Sequence, residues 1–221
     1  MALKYPYDKI FALCENMKER IRNNGGNSPI NIVPIGVDIE KFTPSKEKET
    51  EEPLFLYVGR FKPEKGYKLF IESAEKLEQE KFLMVGDDPE KLGKTPQNLE
   101  VRGKVPHGEM VNIYNEATCL VLPSYTEGLP RVCLEALACG TPVIGSKVGG
   151  VPELVLDGET GFTIEPGNLK QLVNKIETVR KNPELISKMG QQGRKHIVEN
   201  YDESKTMKKT VKELEMVAGD H

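Results

Sequence analysis

An α/β domain built on a doubly wound parallel sheet of about six strands is what this sequence predicts, and three observations carry the prediction. From residue 54 onward, short apolar runs alternate with longer amphipathic stretches, the pattern of strands buried on both faces beneath helices. Glycine, proline and aspartate clusters such as Gly-Asp-Asp-Pro at 86–89 punctuate the boundaries between them. A length of 221 residues with 38% apolar and 29% charged content is ordinary for a globular protein with a sizeable core.

Taken in order, residues 9–13 read as a buried strand, 15–22 as a helix, and Asn-Asn-Gly-Gly-Asn at 23–27 as its break. These first forty residues are too few for a domain, so residues 1–42 are expected to be the last strand and helix of a preceding domain with the interdomain connection. Residues 43–53, rich in glutamate and lysine and bounded by Pro44 and Pro53, have too little apolar surface to pack and read as an exposed linker or loop. The main domain is expected over residues 54–200. Its strands fall at 54–58, 82–85, 99–102, 119–122, 142–145 and 162–164, and its helices at 65–80, 108–115, 130–139, 151–156 and 169–180. That is a Rossmann-like arrangement with helices on both faces. Closing helices are expected at 183–199, opened by Pro183, and at 202–217, the latter with its tail making up residues 201–221.

The formal net charge of −3 and the pI near 5.8 argue against a nucleic-acid partner, because proteins that bind a phosphate backbone concentrate positive charge. Cys14, Cys119, Cys133 and Cys139 show no C-x-x-C spacing and read as reduced structural thiols. The N-terminal stretch has no long apolar segment and no cleavage signature, and no run approaches membrane-spanning length, which leads to a cytoplasmic placement as the expectation.

Chemistry concentrates in residues 123–150, PSYTEGLPRVCLEALACGTPVIGSKVGG. Two carboxylates, Glu127 and Glu135, stand eight positions apart across what reads as the N-terminus of a helix beginning at Pro130. The free N–H groups of a helix start suit a phosphate. A carboxylate repels phosphate, so the two glutamates fit hydroxyls on either side of it: a sugar, a diphosphate and a ribose in a row. Arg60 and Lys65 leave the carboxyl end of the first strand of the main domain, where ligands bind in open α/β sheets, and their charges offset those of a nucleoside diphosphate. On position alone they are equally well a solvated surface pair.

Four motifs in order resemble the nucleotide-sugar-binding half of the retaining glycosyltransferases of GT-B architecture, the group also called family four or group 1. They are PIGVD at 34–38 followed by Phe42, YVGRFKPEKG at 57–66, EGLPRVCLE at 127–135, similar to the E-x7-E signature, and ACGTPVIGSKVGGVPELV at 138–155. The resemblance implies transfer of a sugar, as by a hexosyltransferase, from a nucleotide-diphosphate sugar to a glycan, lipid or protein-glycan acceptor. It implies Arg60, Lys65 and Glu127 as catalytic residues. Donor binding would add Gly128, Leu129, Arg131, Glu135, Gly149 and Gly150, with Glu135 on the ribose and Arg102, Gly103 and Lys104 near the base. It implies no cofactor and no metal, an acceptor held by an N-terminal domain, and peripheral association of the full enzyme with the cytoplasmic face of a membrane. The chain departs from the pattern at Ile35, where Asn is usual, and at Pro130, which removes an N–H that a glycine would offer.

Other readings stay open on the residues. Arg102 and Lys104 equally fit an alternating solvent face, and Asp87 and Asp88, which resemble an acidic metal motif, are also good turn residues. His107 follows Pro106 at a helix start and reads as a loop residue. A non-catalytic nucleotide-binding module and a sugar-nucleotide epimerase are alternatives for the whole chain. A glycosidase using Glu127 and Glu135 is disfavoured by a loop suited to phosphate.

Overall fold

The computed structural model describes residues 7–45 and 52–219. At the N-terminus, β1 (Ile10–Ala12), α1 (Glu15–Asn23) and β2 (Ile30–Ile32) form a small unit in which the two strands pair in parallel, Ile10 opposite Ile30. The sequence did not announce β2. Ile-Asn-Ile is too short to show alternation, and pairing with β1 makes it a strand. Cys14, Val37 and Phe42 from this region join the core of the main sheet. Of the expected linker, residues 46–51 lie outside the described residues; at its near end Ser45 N donates to Asn115 Oδ1 (2.8 Å), and Asn115 Nδ2 donates to the Thr43 carbonyl (3.0 Å).

The main sheet follows the period-two pattern. In β3 (Leu54–Gly59) Phe55 and Tyr57 belong to one face and Leu56 to the other, and in β4 (Lys81–Gly86) Phe82 and Met84 oppose Leu83 and Val85. Strands β5 (Leu99–Arg102), β6 (Cys119–Leu122), β7 (Val143–Ser146) and β8 (Gly161–Ile164) complete a six-stranded, all-parallel sheet in the order β5-β4-β3-β6-β7-β8. Both faces are buried, as such sheets require. Helices α2 (Tyr67–Lys76) and α6 (Leu169–Lys181) cover one face, and α3 (Met110–Glu116), α4 (Arg131–Ala138) and α5 (Val151–Leu154) the other. Helix α7 (Pro183–Asn200) reaches both cores, through Ile186 and Met189 at its start and Ile197 near its end. Helix α8 (Glu203–Gly219) then runs back to the N-terminal unit, where Glu213 Oε2 accepts from Lys9 Nζ at 3.0 Å and Asn31 Nδ2 at 2.6 Å.

The boundaries differ from expectation for local reasons. A 3-10 turn at Pro63–Lys65 precedes α2, which ends well short of residue 80. Asn98 Nδ2 lies 3.0 to 3.1 Å from the carbonyls of Ala74, Leu77 and Glu80 and satisfies that helix end from outside. Pro130 is the cap before α4, with extended backbone, rather than its first residue.

Strand β3 pairs with both β4 and β6, and the chain leaves β3 and β6 toward opposite faces, into α2 and α4. This is the topological switch point, and it places a ligand crevice at the carboxyl ends of these two strands. Among the described residues no helix is long and apolar enough to cross a membrane.

Candidate functional site

The loops after β3 and β6 meet across this crevice. Gly66 sits at φ +67°, and a Cβ there would strike the Pro123 carbonyl, so glycine permits both the left-handed turn and the approach. Tyr125 N donates to the Glu64 carbonyl at 2.9 Å and locks the two loops together. Within this frame Lys65 Nζ lies 2.8 Å from Glu127 Oε1, and Ser124 Oγ donates to the same oxygen at 2.8 Å. The Glu127 side chain is only 8% exposed, so these donors are what permit a carboxylate there. Both of these donors reach Oε1, and among the described residues none donates to Oε2. Arg60 is exposed on the same loop, its guanidinium unpaired among the described residues, while its carbonyl accepts from Tyr57 hydroxyl at 2.9 Å. Burial, and after it the Glu127 and Asp87 carboxylates, pushes the Tyr57 phenol well above its ordinary range, so it stays a donor.

Helix α4 begins beside Glu127. The N–H groups of Gly128, Leu129 and Arg131 donate to no group among the described residues, and the first intrahelical bonds run from Cys133 and Leu134 to Pro130. Pro130 itself offers none. The loop after β7 closes over this turn. Gly149 is at φ +55°, and a Cβ there would strike the Glu127 carbonyl, while Gly150 N donates to the Gly128 carbonyl at 2.6 Å. The close approach these glycines make is therefore to the protein's own 127–128 backbone, which they hold in place, and the Gly150 N–H is spent on it.

Glu135, one turn further along α4, is buried, yet both its oxygens are met. Tyr114 hydroxyl donates to Oε2 at 2.7 Å, and His107 Nε2 lies 2.9 Å from Oε1. Burial, and then Glu135 itself, raises the Tyr114 phenol well above its ordinary value and keeps it protonated. Lys41 Nζ reaches the other ring nitrogen of His107 at 3.2 Å, and Phe42 packs against the ring. The sequence reads His107 only as a loop residue and does not single out Tyr114, Lys41 or Ser124. The first three come from separate loops and helices with no spacing to link them. Ser124 stands three residues before Glu127 but carries no signature of its own.

The predicted base-binding residues are placed differently from one another. Arg102 ends β5, an edge strand, and its guanidinium is held by Glu100 at 2.7 Å and more loosely by Glu116 at 3.6 Å. Lys104 is exposed and Gly103 partly so, in the loop that carries His107 back to α4. Asp87 and Asp88 serve turns: Asp87 Oδ2 accepts from Phe61 N (2.9 Å), and Asp88 caps the 3-10 turn at Pro89–Leu92 through Glu90 N (3.0 Å). All four cysteines are buried.

Six parallel strands in this order, with an acid–base pair at the switch point and open N–H groups beside it, define one half of a GT-B architecture. Comparison with known proteins agrees. The family model described as glycosyl transferases group 1 matches residues 38–196, and the chain belongs to that family. The uncharacterized glycosyltransferase MJ1178 of Methanocaldococcus jannaschii is 31% identical over 196 residues, covering 85% of this chain and 54% of that protein. Sucrose-phosphate synthase from Thermosynechococcus elongatus superposes with a TM-score of 0.90 at 24% identity, over 99% of this chain and 60% of the other. Anabaena Alr3699/HepE in complex with UDP-glucose gives 0.87 at 20%, over 97% and 65%. The chain spans about half the length of the curated relatives it matches.

Proposed function

We propose that this chain is the donor-binding half of a retaining hexosyltransferase that takes its sugar from a nucleotide-diphosphate sugar. The observation that carries the reading is the Lys65–Glu127 pair at the switch point, beside the open N–H groups of α4. Lys65 and Arg60 face the charge that grows on the diphosphate as its bond to the sugar breaks, and the N–H groups of Gly128, Leu129 and Arg131 add fixed dipoles there. This basic set supplies the counter-charge, so transfer proceeds without a metal or other cofactor. Glu127 Oε2 accepts from sugar hydroxyls and Glu135 from the ribose. The loop of residues 102–107 borders the base.

Alr3699/HepE, a neighbour in fold, is described in complex with UDP-glucose, which supports a nucleotide sugar as donor. Because the chain spans about half of its relatives, a second, N-terminal lobe is proposed to hold a glycan or lipid-linked acceptor, in the cytoplasm or against a membrane there. The chain alone is then expected to bind donor with little turnover.

The test is calorimetric titration with UDP-, GDP- and ADP-sugars beside the free nucleotides, repeated on Glu127→Ala. One sugar nucleotide is expected to bind more tightly than its free nucleotide, with that advantage lost in the variant, since each charge-assisted hydrogen bond is worth about 1.5–3 kcal/mol, roughly ten- to a hundredfold. Equal binding of nucleotide and sugar nucleotide, unchanged by the substitution, would replace the transferase with a plain nucleotide-binding module.

A further inference from the structure

Glu135, buried within α4, is held from two sides. Its carboxylate, 9% exposed, is tethered on one oxygen from within the fold by Tyr114 and on the other from the solvent side by His107, whose side chain is 57% exposed. The terminal torsion of a glutamate is broad, so a carboxylate held at one oxygen alone swings. Two tethers on different oxygens stop that rotation. Lys41 settles which proton His107 carries. An ammonium group can only donate, so Nδ1 accepts from it at 3.2 Å, and the ring proton sits on Nε2, pointing at Glu135.

Each carboxylate oxygen has room for two hydrogen bonds, and each has one taken. Each oxygen can accept one more hydrogen bond, and Glu135 lines a cavity of about 160 Å³ together with His107, Arg131, Lys41 and Phe42. Two acceptors fixed in one plane match a vicinal diol, whose two hydroxyls must be met together.

We infer that His107 is a positioning residue for ribose recognition: through its Nε2 proton, fixed there by Lys41, it holds the Glu135 carboxylate in the orientation that captures both ribose hydroxyls. This rests on the donor reading above. It makes a side chain from the loop after β5 part of how the chain tells a ribonucleotide from its deoxy counterpart, though His107 itself touches neither hydroxyl.

The experiment titrates the whole chain with UDP, GDP and ADP, and with the 2′-deoxy form of whichever binds. The unaltered chain is expected to bind the ribonucleotide about tenfold more tightly than the deoxy form, the size of one charge-assisted hydrogen bond. In His107→Ala the ribonucleotide weakens about tenfold and the deoxy form little, so the ratio collapses to about twofold or less. His107→Gln, which retains an N–H near the Nε2 position, restores most of the ratio. Truncation opens no core, because the ring is largely exposed, and an unchanged melting curve verifies this. An undiminished ribo-to-deoxy ratio in His107→Ala overturns the inference, as does equal weakening of both nucleotides or equal binding of both by the unaltered chain. Each of these leaves donor binding standing, whereas failure of every nucleoside diphosphate to bind removes the donor reading and this inference with it.

Discussion

Lys65 has three hydrogens to donate and gives one to Glu127, so a single side chain stabilises a nearly buried carboxylate and, in the proposed donor complex, would present charge to a phosphate. These two roles separate by mutation. In Lys65→Met, Glu127 retains only Ser124, and a half-paired carboxylate in a low-dielectric site should lower stability by about 1–3 kcal/mol. Adding Glu127→Gln removes the uncompensated charge and is expected to recover most of that loss in urea denaturation. Donor affinity should not recover, because the phosphate charge stays unmet. A double variant that binds donor as the unaltered chain does would show that the pair is structural only. The same logic explains why Tyr114 and Tyr57, buried next to carboxylates, serve as neutral donors.

At the scale of elements, the position of α4 decides the site, and α7 sets it from behind. A Cβ at Gly190 would strike the Gly140 carbonyl just past the end of α4, and one at Gly193 would come within 2.8 Å of Leu137 Cδ2. These two glycines let α7 lie close enough for Arg194 to reach three carbonyls, those of Phe42 (2.6 Å), Ala138 (2.8 Å) and Ile39 (2.8 Å). One guanidinium thus ties α7, the end of α4 and the segment bearing Lys41. Replacing a mid-helix glycine with alanine ordinarily stabilises by about 1 kcal/mol, but overpacking costs about 1–3 kcal/mol. Against backbone the second effect wins. Gly190→Ala is expected to lower the urea midpoint, and Gly193→Ala to do so less, since a leucine side chain yields where a carbonyl does not. A rise in the midpoint of Gly190→Ala would mean that α7 sits further from α4 than described.

For the whole molecule, the buried acids set an alkaline limit. Burial raises the Cys133 thiol, the Tyr114 phenol and the Tyr57 phenol, and burial followed by Glu153 takes Tyr201 up to about 12. In the unfolded chain these groups ionise near about 8.5 for cysteine and about 10 for tyrosine. Their raised folded values mean that their contribution is fully present below the unfolded values and is lost as pH rises through the interval up to the folded ones. The slope is about 1.4 kcal/mol per pH unit for each group that has passed its unfolded value. Stability to urea should therefore fall gently above about pH 8.5 and steeply above about pH 10. In Tyr201→Phe the steep part should be shallower by one group; an identical slope would indicate that Tyr201 ionises freely in the fold.

The strands of the main sheet were legible because burial on both faces leaves apolar runs that stand out in any sequence, and β5 and β6 fall where those runs lie. The crevice was legible because the loops at the carboxyl ends of parallel strands follow those strands directly in the chain: Arg60 and Lys65 come after β3, Glu127 and the start of α4 after β6. Less visible was whatever depends on contacts distant in the chain. The three residues of β2 become a strand by pairing with β1, α2 stops where Asn98 meets its last carbonyls, and Gly149 and Gly150 serve the backbone of residues 127–128. His107 shows the division most clearly. Its sequence neighbours mark it as a loop residue, which it is, and only the path of the loop from an edge strand back to α4 brings its ring to Glu135, 28 residues away. By itself the sequence determined the sheet, the location of its ligand loops and the kind of charge they carry, since these follow from local pattern. The tertiary structure alone decided which buried carboxylate is held by which donor, because that is a matter of distance between segments that the chain order keeps apart.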